Sequence, residues 1–325
     1  MLENIKISEQ NRSARHDKAV FLGVDQRFHP YALFVADQIA SKLPERDFDI
    51  CIVSHESLTP HPLWDQLGLR ICRLETAGLG EHVRTTQHVS FATYLCLLTP
   101  LVFAEDYRRL LHVDADIFYR RGDLSKLLEL EIAPHPLGAV RDMSQLRRPH
   151  RRHRDFQTMG LPYAKYFNAG FLLVDTEQYC KDKIAPRAIE LAVRYAEKLT
   201  TNDQSVFNAA AIENWAELSL VWNFPYSYQT LYFSGVFDIC CYHFIGRRKP
   251  FSRGRGIFPR HITEEYRRFF AAHWPDLENR VPDGLQIDQN RWLHACSLIF
   301  HLANYRSSLS NEGHWRSDWD VRRAA

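Results

Sequence analysis

The sequence predicts an α/β fold, with one domain on a mostly parallel central sheet and a helical C-terminal extension. Three observations predict it. Short apolar runs alternate with amphipathic helical stripes, several of those runs end in acidic or amide residues, and the strand signal stops near Arg260, where a Trp- and Arg-rich helical segment begins. A chain of 325 residues is long enough to bury one large core with appendages.

Residues 19–25 (AVFLGVD) read as a buried strand ending in an acid. Ala32, Val35, Ala36, Ile39 and Leu43 then recur at helical spacing and predict a helix over 31–43. Residues 49–54 (DICIVS) and 69–74 predict a second and a third buried strand. Strand, helix, strand at this spacing implies a right-handed crossover and hence parallel pairing. Further strands are expected at 110–113, 137–141, 171–175, 218–222 and 241–245, and helices at 91–98, 124–130, 186–199 and 203–212. The expected organisation is a polar N-terminal segment (1–16), the α/β domain (17–260) and the helical extension (261–325).

Composition narrows the partners. Lys and Arg number 41 against 39 Asp and Glu, so no global field announces nucleic acid. The seven cysteines are scattered without a C-x-x-C pair, which argues against a disulfide framework and for a reducing compartment. Residues 1–16 lack the apolar core of a signal peptide, and the apolar run 94–104 is too short to span a bilayer. The expectation is a cytoplasmic protein, attached at most to the inner face of a membrane.

The chemistry concentrates in Leu110-Leu111-His112-Val113-Asp114-Ala115-Asp116-Ile117-Phe118. Residues i and i+2 of an extended chain point the same way, so the Asp114 and Asp116 carboxylates can reach one ligand. Two carboxylates that close repel unless a cation sits between them, and oxygen ligands point to Mg²⁺ or Mn²⁺. Other segments repeat the theme of polar groups at strand ends. Asn168 and Gly170 precede a buried strand, Asp142 follows one, and Asp203 and Gln204 open a helix. His243-Phe244-Ile245-Gly246-Arg247-Arg248-Lys249-Pro250 ends a strand in a glycine turn with three cations. No Gly-x-Gly-x-x-Gly or Walker loop is present, so a dinucleotide or P-loop reading lacks its main support.

In this ordered set of segments the chain resembles glycosyltransferase family 8, retaining enzymes that use nucleotide sugars, usually UDP-galactose or UDP-glucose. The resemblance spans roughly residues 19–251. It implies a GT-A-type, Rossmann-like nucleotide-sugar-binding domain. It also implies metal ligation by Asp114, Asp116 and His243, and the imidazole shifts the choice of ion from Mg²⁺ towards Mn²⁺. Gly246 and Lys249 match the grip on the diphosphate, and Asp25 the acid near the uracil ring. Asp142, Asn168 and Asp203 match groups around the donor sugar, and Gln204 with Asp203 the groups nearest the reacting carbon. The implied partners are a UDP-sugar donor and a glycan or lipid-linked saccharide acceptor. One departure bears on the donor, since Thr93-Tyr94-Leu95-Cys96 carries a thiol where the family usually has an arginine.

Two alternatives stand beside this reading. A sugar-phosphate nucleotidyltransferase would normally open with a glycine-rich basic loop, which Gly23-Val24-Asp25-Gln26-Arg27-Phe28 does not fit. A degenerate, non-catalytic nucleotide-sugar binder has Cys96 as its sequence support. Two further segments are not absorbed by the family pattern. The basic stretch 147–154 (RRPHRRHR) suits an anionic acceptor. The C-terminal stripe of Trp292, Leu293, Leu298, Ile299 and Leu302, with Trp315, Trp319, Arg322 and Arg323 beyond, is expected to pack on the domain; contact with a membrane face is the alternative.

Overall fold

The computed structural model describes residues 2, 4–76, 78–79, 91–195, 198–227, 230, 234, 237–246, 248–252, 258–284, 295–296, 299–300, 303 and 317–323. Its strands are β1 (Lys6–Gln10), β2 (Lys18–Gly23), β3 (Asp49–Ser54), β4 (Arg70–Glu75), β5 (Arg109–Val113), β6 (Ile117–Tyr119), β7 (Leu137–Arg141), β8 (Phe167–Asp175), β9 (Ala216–Leu218), β10 (Phe224–Pro225), β11 (Cys241–His243) and β12 (Val321–Arg323). The main sheet runs in the order β1-β4-β3-β2-β5-β8-β7-β9-β12. Strands β2, β3, β4, β5, β7 and β9 share one direction, whereas β1, β8 and β12 oppose it.

The central strands are fully covered, and the period of two sends alternate side chains to opposite faces. Val20 and Leu22 join Ile50, Ile52, Leu111 and Val113 in one core, while Ala19 and Phe21 join Cys51, Val53 and Leu110 in the other. The chain leaves β2 for β3 on one side, and β5 pairs with β2 on the other. That reversal opens a crevice beyond the carboxyl ends of β2 and β5, the usual ligand position in an open α/β sheet. Strand β8 starts there, because it runs antiparallel between β5 and β7. A second, smaller sheet of β10, β11 and β6 covers one end and pairs His243 with Ile117.

Four expectations are corrected. The first 16 residues contain β1, an edge strand whose largely exposed side chains give a polar sequence that masks it. Strand β8 begins at Phe167, so Asn168 and Gly170 lie inside the strand and not before it. Residues 218–222 are the end of β9 followed by a 3₁₀ turn (Leu220–Asn223), because the apolar run there fills the core without a strand period. The sheet also does not end at Arg260, since β12 adds an antiparallel edge to β9. Three residues carry too little periodicity to announce a strand.

Part of the extension packs on the domain, whereas Ile299 of the expected stripe is 67% exposed. Helix Arg260–His273 stacks Tyr266 on Phe34 of helix His29–Lys42, with ring centroids 3.9 Å apart. Trp319 sits against Trp222 and under the Lys126 ammonium, 4.2 Å from the ring. Trp292, Leu293, Leu298, Leu302 and Trp315 lie outside the described residues. The seven cysteines are free thiols. Among the described residues no helix is long and apolar enough to cross a membrane.

Candidate active site

One cavity of about 440 Å³ fills the crevice, a size suited to a small ligand. Asp25, Asp114, Asp116, Asp142, Asn168, Asp203, Gln204, His243, Gly246 and Lys249 all line it, so the fold gathers every candidate site residue at one place. The topology explains the convergence. Asp25 follows β2, Asp114 and Asp116 follow β5, Asp142 follows β7, Asn168 opens β8, and His243 closes β11.

The acidic pair meets His243 because β11 pairs antiparallel with β6, and the Phe244 N–H donates to the Asp116 carbonyl at 3.2 Å. His243 Nε2 lies 3.1 Å from Asp116 Oδ1 and 3.7 Å from Asp114 Oδ2. One ligand atom from each of the three residues falls within 4.8 Å of the others, so the group could hold a metal ion. The fit has a second sign: Asp116 Oδ1 is buried and faces only the His243 Nε2 position, so with a neutral Nδ1–H ring it lacks a donor, an expensive state that a cation there relieves. Gly170 keeps the space open. A Cβ there would come within 2.5 Å of Asp114 Oδ2 and would collide with the His243 ring.

Lys249 donates from its ammonium to Asp116 Oδ2 and to the Phe244 carbonyl. It therefore rests against a candidate metal ligand at the cavity wall. Burial opposes charge on Asp116, but the Lys249 ammonium and His243 override it and hold the carboxyl below the usual carboxylate range. Gly246 has φ near 79°, a left-handed conformation that favours glycine, in the turn between them.

On the opposite wall, helix Asn202–Ala210 presents Asp203 and Gln204 in its first turn. The helix cap is Thr201 and neither of the two candidate residues, and Thr201 makes no side-chain cap bond. Gln204 Oε1 accepts from Asn168 Nδ2 and from the Ala169 N–H, both at 3.1 Å, and its Nε2 donates to Asp142 Oδ2 at 3.3 Å. Cys96 is buried beside them, its thiol donating to the Thr93 carbonyl at 3.0 Å. Burial and then the Asp203 and Asp114 carboxylates push that thiol well up, so it stays neutral. The Asp203 carboxyl is pushed up to about 6, by burial first and by the Asp114 charge second. Asp25 Oδ1 accepts from the Phe28 N–H at 2.9 Å, so it caps its turn and lines the cavity at once.

Sequence reasoning missed three supporting residues. His112 lines the cavity and sets Nε2 3.1 Å from Asp114 Oδ1. Asn223 is buried, with Oδ1 3.0 Å from His243 Nδ1; an asparagine inside an apolar run was the available signal. Asp155, the lone acid beside the basic stretch, is buried and accepts from Thr201 N at 3.1 Å and Ser205 Oγ at 2.5 Å. It thereby fixes the start of the helix that carries Asp203. Burial works against the Asp155 charge, but these hydroxyl and amide donors hold its carboxyl below the usual range. Arg247 lies outside the described residues.

A mostly parallel α/β sheet with its crevice at the switch point is a GT-A-type fold. Residues 19–254 match the model of glycosyl transferase family 8, and the chain belongs to that family. It is 31% identical over 146 residues to general stress protein A of Bacillus subtilis, covering 44% of this chain and 49% of that protein. It is 26% identical over 182 residues to lipopolysaccharide 1,3-galactosyltransferase of Salmonella typhimurium, covering 54% and 53%. The matched region thus spans about half the length of these curated relatives. Among solved structures, the galactosyltransferase LgtC in complex with donor and acceptor sugar analogues superposes with a TM-score of 0.63 at 18% identity, over 84% of this chain and 99% of that one.

Proposed function

We propose that the chain is a metal-dependent retaining hexosyltransferase. It would move galactose or glucose from a UDP-sugar to a hydroxyl of a glycan or lipid-linked saccharide. The observation that carries this reading is the cluster of Asp114, Asp116 and His243, with a buried, unpartnered carboxylate oxygen, at the head of the cavity. Mn²⁺, or Mg²⁺, held by these three residues would neutralise the negative charge that grows on the diphosphate as the glycosidic bond breaks.

The chain's own groups would do the rest. Lys249, released from Asp116, supplies a positive charge to the diphosphate, with the Gly246 backbone N–H beside it. Asp25 is assigned to the uracil ring, and Asp142, Asn168 and Asp203 to the sugar hydroxyls. Both hydrogen bonds to Gln204 Oε1 occupy the oxygen that a double displacement would use as nucleophile. That favours same-face substitution, in which the departing phosphate takes the acceptor proton. A cytoplasmic location, peripheral to the membrane, belongs to the same proposal. The thiol at Cys96 favours the non-catalytic binder as the second reading.

Thermal unfolding with UDP, Mn²⁺, both, or neither tests the site. Saturation at a hundredfold over Kd stabilises a folded protein by about 2.7 kcal/mol, so both ligands together should raise Tm by on the order of 5 °C. No shift in folded protein would remove the nucleotide site. A turnover assay then separates transferase from binder.

The basic stretch adds an acceptor prediction. Asp142 caps helix Met143–Arg147 at one end of it, Asp155 anchors the other, and the Tyr163 hydroxyl donates to the Pro149 carbonyl at 2.6 Å. The loop is thus held beside the cavity wall with Arg151 and Arg154 exposed. Neutralising Arg151, Arg152 and Arg154 should raise the KM for an anionic acceptor about tenfold and leave UDP binding unchanged. An unchanged acceptor KM would sink the assignment.

A further inference from the structure

A single run of amide side chains links Asp142 to His243, and every hydrogen bond in it points one way. Gln204 Nε2 donates to Asp142 Oδ2 at 3.3 Å, Asn168 Nδ2 donates to Gln204 Oε1 at 3.1 Å, and Asn223 Nδ2 donates to Asn168 Oδ1 at 2.9 Å. Asn223 Oδ1 then faces His243 Nδ1 at 3.0 Å. The direction is imposed by groups that have no choice. A carboxylate only accepts, and a backbone N–H only donates. Asp142 sits at the far end. The Ala169 N–H holds Gln204 Oε1, and the Gly170 N–H holds Asn168 Oδ1, both at 3.1 Å. With both interior amides locked, Asn223 must turn its NH₂ to Asn168 and its oxygen to the imidazole. Asn223 is only 2% exposed, so water offers little alternative partner.

We infer that this relay fixes neutral His243 as the Nδ1–H tautomer, with Asn223 as the positioning residue that delivers the constraint. The consequence appears on the other ring nitrogen. His243 Nε2 lies 3.1 Å from Asp116 Oδ1, where an Nε2–H could have donated to that unpartnered oxygen. In the neutral ring the relay forbids that bond and leaves a lone pair facing two carboxylates, an arrangement that a metal ion or a second ring proton satisfies. The residues assigned to the donor sugar thereby also prepare the metal ligand. This extends the proposed metal site and rests on it for its purpose, but the tautomer is a property of the protein alone.

The test uses full-length, metal-free protein labelled with ¹⁵N-histidine, at a pH where imidazole is neutral. His243 is assigned by comparison with His243→Gln. Long-range ¹H–¹⁵N spectra should show Nδ1 protonated and Nε2 bare. Asn223→Leu should lose that preference and weaken Mn²⁺ binding, read by electron paramagnetic resonance without nucleotide, by about 10- to 100-fold. Asn223→Asp keeps an acceptor for Nδ1–H, so it should retain the tautomer and bind Mn²⁺ within about threefold of the parent. An Nε2–H tautomer in the parent protein overturns the inference, even if neither variant folds. So does a folded Asn223→Leu protein with unchanged tautomer and Mn²⁺ affinity. An Nδ1–H tautomer in a protein that binds no Mn²⁺ upholds the relay and removes the metal-dependent function.

Discussion

Asp116→Asn is expected to lower kcat/KM by at least about a thousandfold while the protein stays folded, because a metal-bound charge contributes several kcal/mol and each 1.36 kcal/mol is tenfold. The substitution keeps the side-chain shape but removes the carboxylate shared by the Lys249 ammonium and the His243 face. It also gives one buried position an NH₂ group where the site needs acceptors. Asp114→Asn should cost less. That carboxylate is more exposed than Asp116, and His112 already engages its second oxygen. Paired measurements of turnover, Mn²⁺ affinity and Tm check the order. Loss of turnover with Mn²⁺ affinity unchanged would move Asp116 from metal ligand to another role. A parent protein that binds UDP with no turnover at all would put the non-catalytic reading first.

Gly170→Ala is the second large effect, although glycine brings no side chain to the cavity it lines. Its carbonyl accepts from the Asp114 N–H at 2.9 Å, and its own N–H donates to Asn168 Oδ1 at 3.1 Å, so the backbone is tied on both sides. It cannot retreat from an added methyl without dragging Asp114 or the amide relay with it. The methyl would stand 2.5 Å from Asp114 Oδ2 and 3.0 Å from His243 Nδ1, so both side chains must shift by a large part of an ångström. Misplacement on that scale costs about a hundredfold in rate. Overpacking should cost about 1–3 kcal/mol of stability, a fall of a few degrees in Tm. Equal Mn²⁺ affinity in Gly170→Ala and its parent would show that the ligands yield without cost. Gly246 is the contrasting case. Among the described residues nothing lies within 4 Å of a Cβ placed there, and its positive φ is what favours glycine.

Much of the fold was readable because its signals are local. The central strands are covered on both faces, which produces apolar runs without alternation, and β2, β3, β5 and β7 fall where those runs fall. Edge strands left no such trace. β1 is mostly exposed and β12 is three residues long, so both form through backbone pairing to neighbours that the local sequence does not name. The early start of β8 was hidden for a related reason. Phe167-Asn168-Ala169-Gly170 carries polar and small residues because that end of the strand faces the cavity, and a site composition masks a strand composition.

The sequence by itself determined the acidic pair, since two carboxylates one residue apart at the end of a buried strand are a property of spacing. It also supplied the order of motifs that identifies the family, and with it ten of the residues that line the cavity. Only the tertiary structure decided which side chains meet. The β6–β11 register brings His243 to Asp116, and Lys249 returns onto that carboxylate. Asn223 closes a line of amides whose direction is set by two backbone N–H groups and one acid. Hydrogen-bond direction depends on the partner across space, and residues far apart in the chain acquire such partners only when the sheet assembles.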